Sequence, residues 1–259
     1  MTERLHQDSF FSPNWPAPAQ VRSCITTRQG GESAAPYANN NLALHVGDDS
    51  DVVQRNRSAL ISAAGLPATP QWLEQIHGIR LVEARTDGRV LTADGCFSRA
   101  LHHPCAVLTA DCLPVLLCDR AGTQVAAVHA GWRGLAAGIV REAVTSFSAP
   151  TAELLVYLGP AIGPDAFEVG IDVLEAFFDS AVSEEHAAAI AAAFRPCLNR
   201  PLHFFADIYA LARADLVAAG VPVAAIYGGD LCTYSDPARF YSYRRDGVTG
   251  RMASLIWLA

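Results

Sequence analysis

A thiol and an imidazole bracket one apolar run. In TADCLPVLLCDRAGTQVAAVHAGWRG, residues 109–134, Cys112 stands before the first apolar stretch and His129 closes the second. A thiolate beside a histidine has two chemical uses: it is a nucleophile with a base at hand, or it is part of a metal-binding set, because both groups ligate zinc and related ions. The same residues also read as an inert buried cysteine, like Cys118, and a hydrogen-bonded core histidine. The break at residues 119–123 predicts a hairpin turn whose paired residue numbers sum to about 241, setting Cys112 almost opposite His129, where cross-strand Cβ atoms lie about 4.5–5.5 Å apart. A one-residue slip would send the two to opposite faces, and Pro114, which cannot donate to a ladder, marks irregular pairing beside Cys112.

His77 ends the alternating stretch WLEQIHG and is placed to project from a strand or turn end. Glu168, in the Gly/Pro-rich GPAIGPDAFEVG, is either part of a wide turn or a base at a pocket rim. Glu74 and Asp111 are further candidate acids or bases. Arg133 follows His129 closely at a helix start, where a guanidinium and free backbone N–H groups both favour phosphate. Arg28, in TTRQGG, is a second anion candidate or a loop-anchoring ion pair, and Arg244-Arg245, ahead of an Asp-Gly turn, read as a solvated hairpin end.

Elements that could position these groups follow from periodicity. Helices are predicted over 135–147, 51–64 and 184–194, the last capped by Ser183, and from an Asp207 cap to Gly220. Strands are predicted over 21–27, 105–109, 113–118, 124–129, 154–158, 223–227, 240–243 and 254–258. Hairpins and helices mix without strict alternation, which indicates an α+β fold with mixed or antiparallel β-sheets under helices, in one domain over residues 1–259. The Gly- and Asn-rich segment 29–41 reads as a surface loop.

Apolar residues make up 51% and charged residues 17%, a globular composition. The net charge of −7 gives no general attraction to nucleic acid or anionic membrane, so an anionic ligand needs locally placed arginines or backbone N–H groups. No apolar stretch is long enough to span a bilayer and none at the N-terminus reads as a signal peptide, so a cytoplasmic protein is expected. The seven cysteines lack any CxxC spacing, which argues against a disulfide framework or zinc knuckle.

The ordered motifs TTRQGGES, NLALHVGDD, QWLEQIHG, TADCLPVLLCD, AVHAGWRG, LGPAIGPDAFEVG, DIYALAR, GGDLCTY and YSYRRDGVTGRMA resemble the bacterial YfiH family over nearly the whole chain. Members of that family carry two labels, laccase-like multicopper polyphenol oxidase and purine nucleoside phosphorylase. The resemblance implies two packed sheets flanked by helices in four layers, and a metal, usually zinc, on His77, Cys112 and His129. It implies phosphorolysis of adenosine, inosine and methylthioadenosine, with adenosine deamination as a second activity. A purine nucleoside and phosphate are then the partners of a monomer or weak dimer; Arg28, Asn41 and Arg133 are the candidate substrate-binding positions and Cys112, His129 and Glu168 the candidate catalytic ones, with Glu74 and Asp111 as alternatives to Glu168.

Three protein ligands leave a fourth zinc position open, as catalytic sites do, and zinc-bound water ionises near neutral pH. Copper is the second metal candidate, yet blue-copper centres commonly add a weak axial Met, and only Met1 and Met252 exist here. A Cys112–His129 hydrolase or amidase, tied through the family to cell-wall precursor editing, is the third reading.

Overall fold

The structure, a computed structural model, describes residues 8–259. Two sheets form its centre. The first has the order β1 (Phe10–Phe11), β2 (Val21–Thr26), β15 (Met252–Leu258), β7 (Cys105–Thr109), and all its pairings are antiparallel. The second has the order β14 (Ile226–Gly228), β10 (Leu154–Leu158), β8 (Leu113–Asp119), β9 (Val125–Ala130), β6 (Gly95–Ser98), β4 (Leu81–Glu83). It is antiparallel at its centre and parallel at both edges. Smaller sheets join β11 (Glu168–Gly170), β13 (His203–Ala206) and β12 (Phe194–Pro196), and β3 (Leu73–Glu74) with β5 (Leu91–Thr92).

Alternation along the strands creates the layers, because successive side chains leave a strand on opposite faces. In the first sheet Ile25, Val107 and Ile256 face the second sheet and join its core, while Cys24, Ala106, Leu108, Ala253 and Leu255 turn outward, where Leu60 covers them. Leu60 belongs to α1 (Ser50–Ala63), whose N-terminal N–H groups are capped by Asp49. The far face of the second sheet is covered by α2 (Trp132–Ala136) and α3 (Ile139–Thr145), with α6 (Ile208–Ala218) packed on α3. The helix–sheet–sheet–helix stack implied by the resemblance is therefore present. The set is completed by α4 (Ile171–Asp179), α5 (Glu184–Ala192) and α7 (Tyr243–Asp246).

Several local expectations change. The helix predicted over 135–147 starts earlier, at Trp132, and is two helices parted at Gly138, whose φ of 97° only glycine adopts without strain. Residues 223–225 wind as a 3₁₀ turn before β14, and the strand predicted over 240–243 is instead a buried Phe240-Tyr241 pair leading into α7. The segment 29–41 is not wholly superficial, since Ser33, Asn40 and Asn41 are buried.

Candidate metal centre

The β8–β9 hairpin pairs Leu113 with Ala130 and Pro114 with His129, so the paired numbers sum to 243, not 241. Cys112 therefore lies just ahead of β8 rather than opposite His129. The difference is two residues, which preserves the face, so both side chains still point the same way. His77 arrives from the segment after β3, and its ring sits edge-on to His129 at 4.8 Å between centroids. One ligand atom from each of His77, Cys112 and His129 lies within 4.8 Å of the others, with Cys112 Sγ 3.9 Å from His77 Nε2.

Asp94 organises this cluster. Its carboxylate, fully buried, accepts from His129 Nδ1 at 2.9 Å and from the backbone N–H groups of Ile76, His77 and Gly78 at 3.2, 2.8 and 2.7 Å. Holding the Nδ1 proton of His129 leaves Nε2 as the free donor atom and fixes the ring, the arrangement seen where a carboxylate backs a metal-bound histidine. Burial alone would raise the Asp94 carboxyl; the bonds from His129, Gly78 and His77 hold it below the usual range. Gln75 fastens the same segment to the first sheet, donating to the Leu108 carbonyl and accepting from its N–H, both at 2.8 Å. So held, His77 adopts a φ of 62°, in the left-handed region that costs a non-glycine residue energy.

Cys112 is fixed from the other side. Asp111, at a φ of 94°, accepts from the Thr233 hydroxyl at 2.6 Å, the Ser242 hydroxyl at 3.0 Å and Arg244 N–H at 2.7 Å. Gly131 keeps the centre open. Its φ of −64° suits any residue, but a Cβ there would meet His77 Cδ2 at 2.8 Å and Cys112 Sγ at 3.2 Å.

Electrostatics match the geometry. Burial would raise the Cys112 thiol, but His129 and then His77 outweigh it and bring it to about 6. Burial would lower His129, and the Cys112 and Asp94 charges instead push it up to about 9. The two shifts run toward a thiolate beside an imidazolium, and a divalent cation would take the place of that imidazolium proton. The donor set, one sulfur and two nitrogens on a rigid hairpin and a pinned turn, fits a zinc-type ion.

The centre lines one wall of a pocket of about 330 Å³ bounded by His45, Gln75, His77, Leu108, Thr109, Ala110, Cys112, His129, Tyr243 and Arg251. Such a volume is at the lower end for small-molecule sites. Glu168, Glu74, Arg28, Arg133, Asn41 and Arg244-Arg245 are not among the residues that bound this pocket. Glu168 pairs with Arg200, and Glu74 accepts from the Thr92 hydroxyl. Arg28 donates to the Ala38 and Pro237 carbonyls and stacks on Tyr241. Arg133, exposed, lies over the Trp132 ring. Asn41 is buried, with its amide spent on Ala43, Asp48 and the N–H of Arg251. Arg244-Arg245 lie in α7 and not at a hairpin end: Arg244 is exposed and donates to the carbonyl of Glu168, while Arg245, half-buried, donates to the carbonyls of Thr233, Tyr234 and Phe240. His45, Tyr243 and Arg251 lie within the motifs NLALHVGDD and YSYRRDGVTGRMA, which give them no role, and Asp94 lies outside every motif, although an aspartate inside the strand-like LTADGCFS is a signal of buried polar work.

A three-donor cradle at the mouth of a layered α+β fold defines a class, and comparison with known proteins gives its family. A family described as multi-copper polyphenol oxidoreductase laccase matches residues 22–259, and the chain belongs to it. The chain is similar to the purine nucleoside phosphorylase of Pseudomonas aeruginosa, 53% identical over 251 residues that cover 97% of this chain and 99% of that protein. It is likewise similar to the purine nucleoside phosphorylase YfiH of Escherichia coli K12, at 49% identity over 95% and 97%. Among solved structures, Neisseria meningitidis protein NMB0706 superposes with a TM-score of 0.89 at 48% identity, covering 96% of this chain and 99% of that one. YlmD from Geobacillus stearothermophilus gives 0.87 at 30% identity and 98% of both chains.

Proposed function

We propose that this protein is a zinc-dependent purine nucleoside phosphorylase acting on inosine, adenosine and methylthioadenosine, with adenosine deamination as a second activity. The observation that carries the reading is the His77–Cys112–His129 cluster on the wall of a pocket sized for a small molecule, taken with relatives that bear the phosphorylase name. Zinc, when bound, would be held by His77, Cys112 and His129 and would supply Lewis acidity beside the substrate.

The chain's own residues do the rest. Asp94 sets the tautomer and direction of His129, Gln75 and Asp94 keep His77 in its strained turn, and the pocket walls hold the nucleoside against the centre. In phosphorolysis a phosphate oxygen bonds to the ribose C1′ as the C1′–N9 bond breaks. The bonding pair departs on the purine, which takes a proton from solvent, giving free base and ribose 1-phosphate.

Copper is the second candidate metal. Its usual weak axial sulfur has no source here, because Met252 Sδ accepts from Tyr241 N–H at 3.1 Å and lies outside the pocket lining. Among the described residues, no other cluster of three such donors offers a home to further coppers, so phenol oxidation is assigned a minor, copper-loaded role.

One observation favours a second reading. Asp94, His129 and Cys112 stand in the order of an acid–base–nucleophile triad, with the thiol lowered to about 6. Metal analysis with a nucleoside panel separates the two: zinc near one per chain with base release supports the phosphorylase, and a zinc-independent covalent adduct at Cys112 supports a cysteine hydrolase.

A further inference from the structure

The pocket that holds the metal centre also carries a guanidinium with no carboxylate within salt-bridge distance. Arg251 is half-buried at the start of β15, which the Met252–Thr109 pairing sets beside the end of β7. Its backbone N–H is held by Asn41 Oδ1 at 3.0 Å, and its Nη1 donates to the Thr249 and Gly250 carbonyls at 2.8 and 3.0 Å. Among the described residues, its Nε and Nη2 meet no acceptor, and no carboxylate comes within salt-bridge distance. By contrast, Arg55, Arg141, Arg195, Arg200, Arg239 and Arg245 each have one.

A partly desolvated cation costs stability unless something pairs with it. Burial does hold the Arg251 guanidinium below its ordinary value, though it stays charged at any physiological pH. Two carbonyls on Nη1 fix the guanidinium plane, and the donors left over, Nε and Nη2, are the pair that forms a fork with two oxygens of one anion. His45, which shares the lining, is held below its ordinary value by burial and by Arg251 and Arg57. A divalent ion held by His77, Cys112 and His129 would outweigh the single Cys112 thiolate and leave the pocket net positive.

We propose that Arg251 is the phosphate-binding residue of this pocket, its Nε and Nη2 gripping inorganic phosphate between the metal centre and Tyr243. The assignment rests on the phosphorylase reading for its chemistry, and it moves the anion away from Arg28 and Arg133, which lie outside the lining; Arg251 lies over the Tyr243 ring, 5.8 Å from its centroid, with its Nε and Nη2 still without an acceptor among the described residues. Asn41 then acts as a positioning residue, through the backbone of Arg251.

Calorimetric titration of inorganic phosphate into zinc-replete protein, with inosine 5′-monophosphate as a parallel arm, tests this. The expected result is saturable phosphate binding to the wild type, weakened at least tenfold in Arg251→Gln and less in Arg251→Lys, with zinc content checked in each. In turnover the KM for phosphate rises in Arg251→Gln much more than the KM for inosine. Phosphate should also protect Arg251, and not Arg133, from phenylglyoxal in the wild type, a readout that needs no variant to fold. Equal phosphate affinity in wild type and Arg251→Gln, binding of the nucleotide alone, or absence of protection would each overturn the assignment. A wild type that binds phosphate through Arg251 yet releases no base would uphold the anion site and refute the phosphorylase.

Discussion

Asp94 and His129 meet at 2.9 Å in a contact sealed from solvent, and the same carboxylate gathers the N–H groups of residues 76–78. One buried acid thus orients two of the three proposed metal ligands, one through its ring and the other through its backbone.

Asp94→Asn keeps the shape and removes the charge. It should lower zinc affinity by about 10- to 100-fold, the usual cost of losing a carboxylate behind a metal-bound histidine. Competition with a chromophoric chelator measures this; unchanged affinity would show that the backbone alone sets the centre.

Gly131→Ala tests the space rather than the ligands. The backbone there accepts alanine, but the new methyl would press on His77 and Cys112. The variant should keep its fold by circular dichroism while losing most of its zinc by elemental analysis.

The Cys112 thiol, brought to about 6 against burial by His129 and His77, should govern alkylation of the metal-free protein. The thiolate is the reactive form, so the rate should climb with pH through a midpoint of about 6 and level off above it. His129→Ala should move that midpoint upward, because burial then dominates. Zinc should suppress the reaction at every pH, and Cys118, whose thiol burial pushes up to about 12, should remain unlabelled. Mass-spectrometric mapping of iodoacetamide adducts reads all of these.

How much of this was legible in the sequence differs residue by residue. Cys112 and His129 stood out because their types are rare at the ends of apolar strands, and the two-residue error in their register was harmless to the face they share. His77 became a ligand only through the family resemblance, since its strained turn depends on Asp94 and Gln75 contacts that no local pattern encodes. Arg251 was hidden because β15 lies far along the chain from β7, and only their pairing brings it to the pocket. Gly138 sat inside a continuous apolar stripe, so periodicity alone ran the two helices together.

Arg245 illustrates the same limit and gives a stability test. It looks like a surface turn residue, yet it satisfies three backbone carbonyls and Asp246. Arg245→Ala should cost about 2–3 kcal/mol, several neutral and charged hydrogen bonds being lost together. Chemical denaturation checks this, and a cost near zero would mean that water replaces those bonds freely.

The most direct measurement follows ribose 1-phosphate formed from inosine and phosphate on a single wild-type sample, first as purified, then stripped by chelation, then reloaded with zinc. Ribose 1-phosphate and hypoxanthine should appear in equal amounts, vanish on stripping, return on reloading, and fail to return in His77→Ala. Base release that persists in the stripped protein, or no release in the zinc-loaded one, would contradict the account.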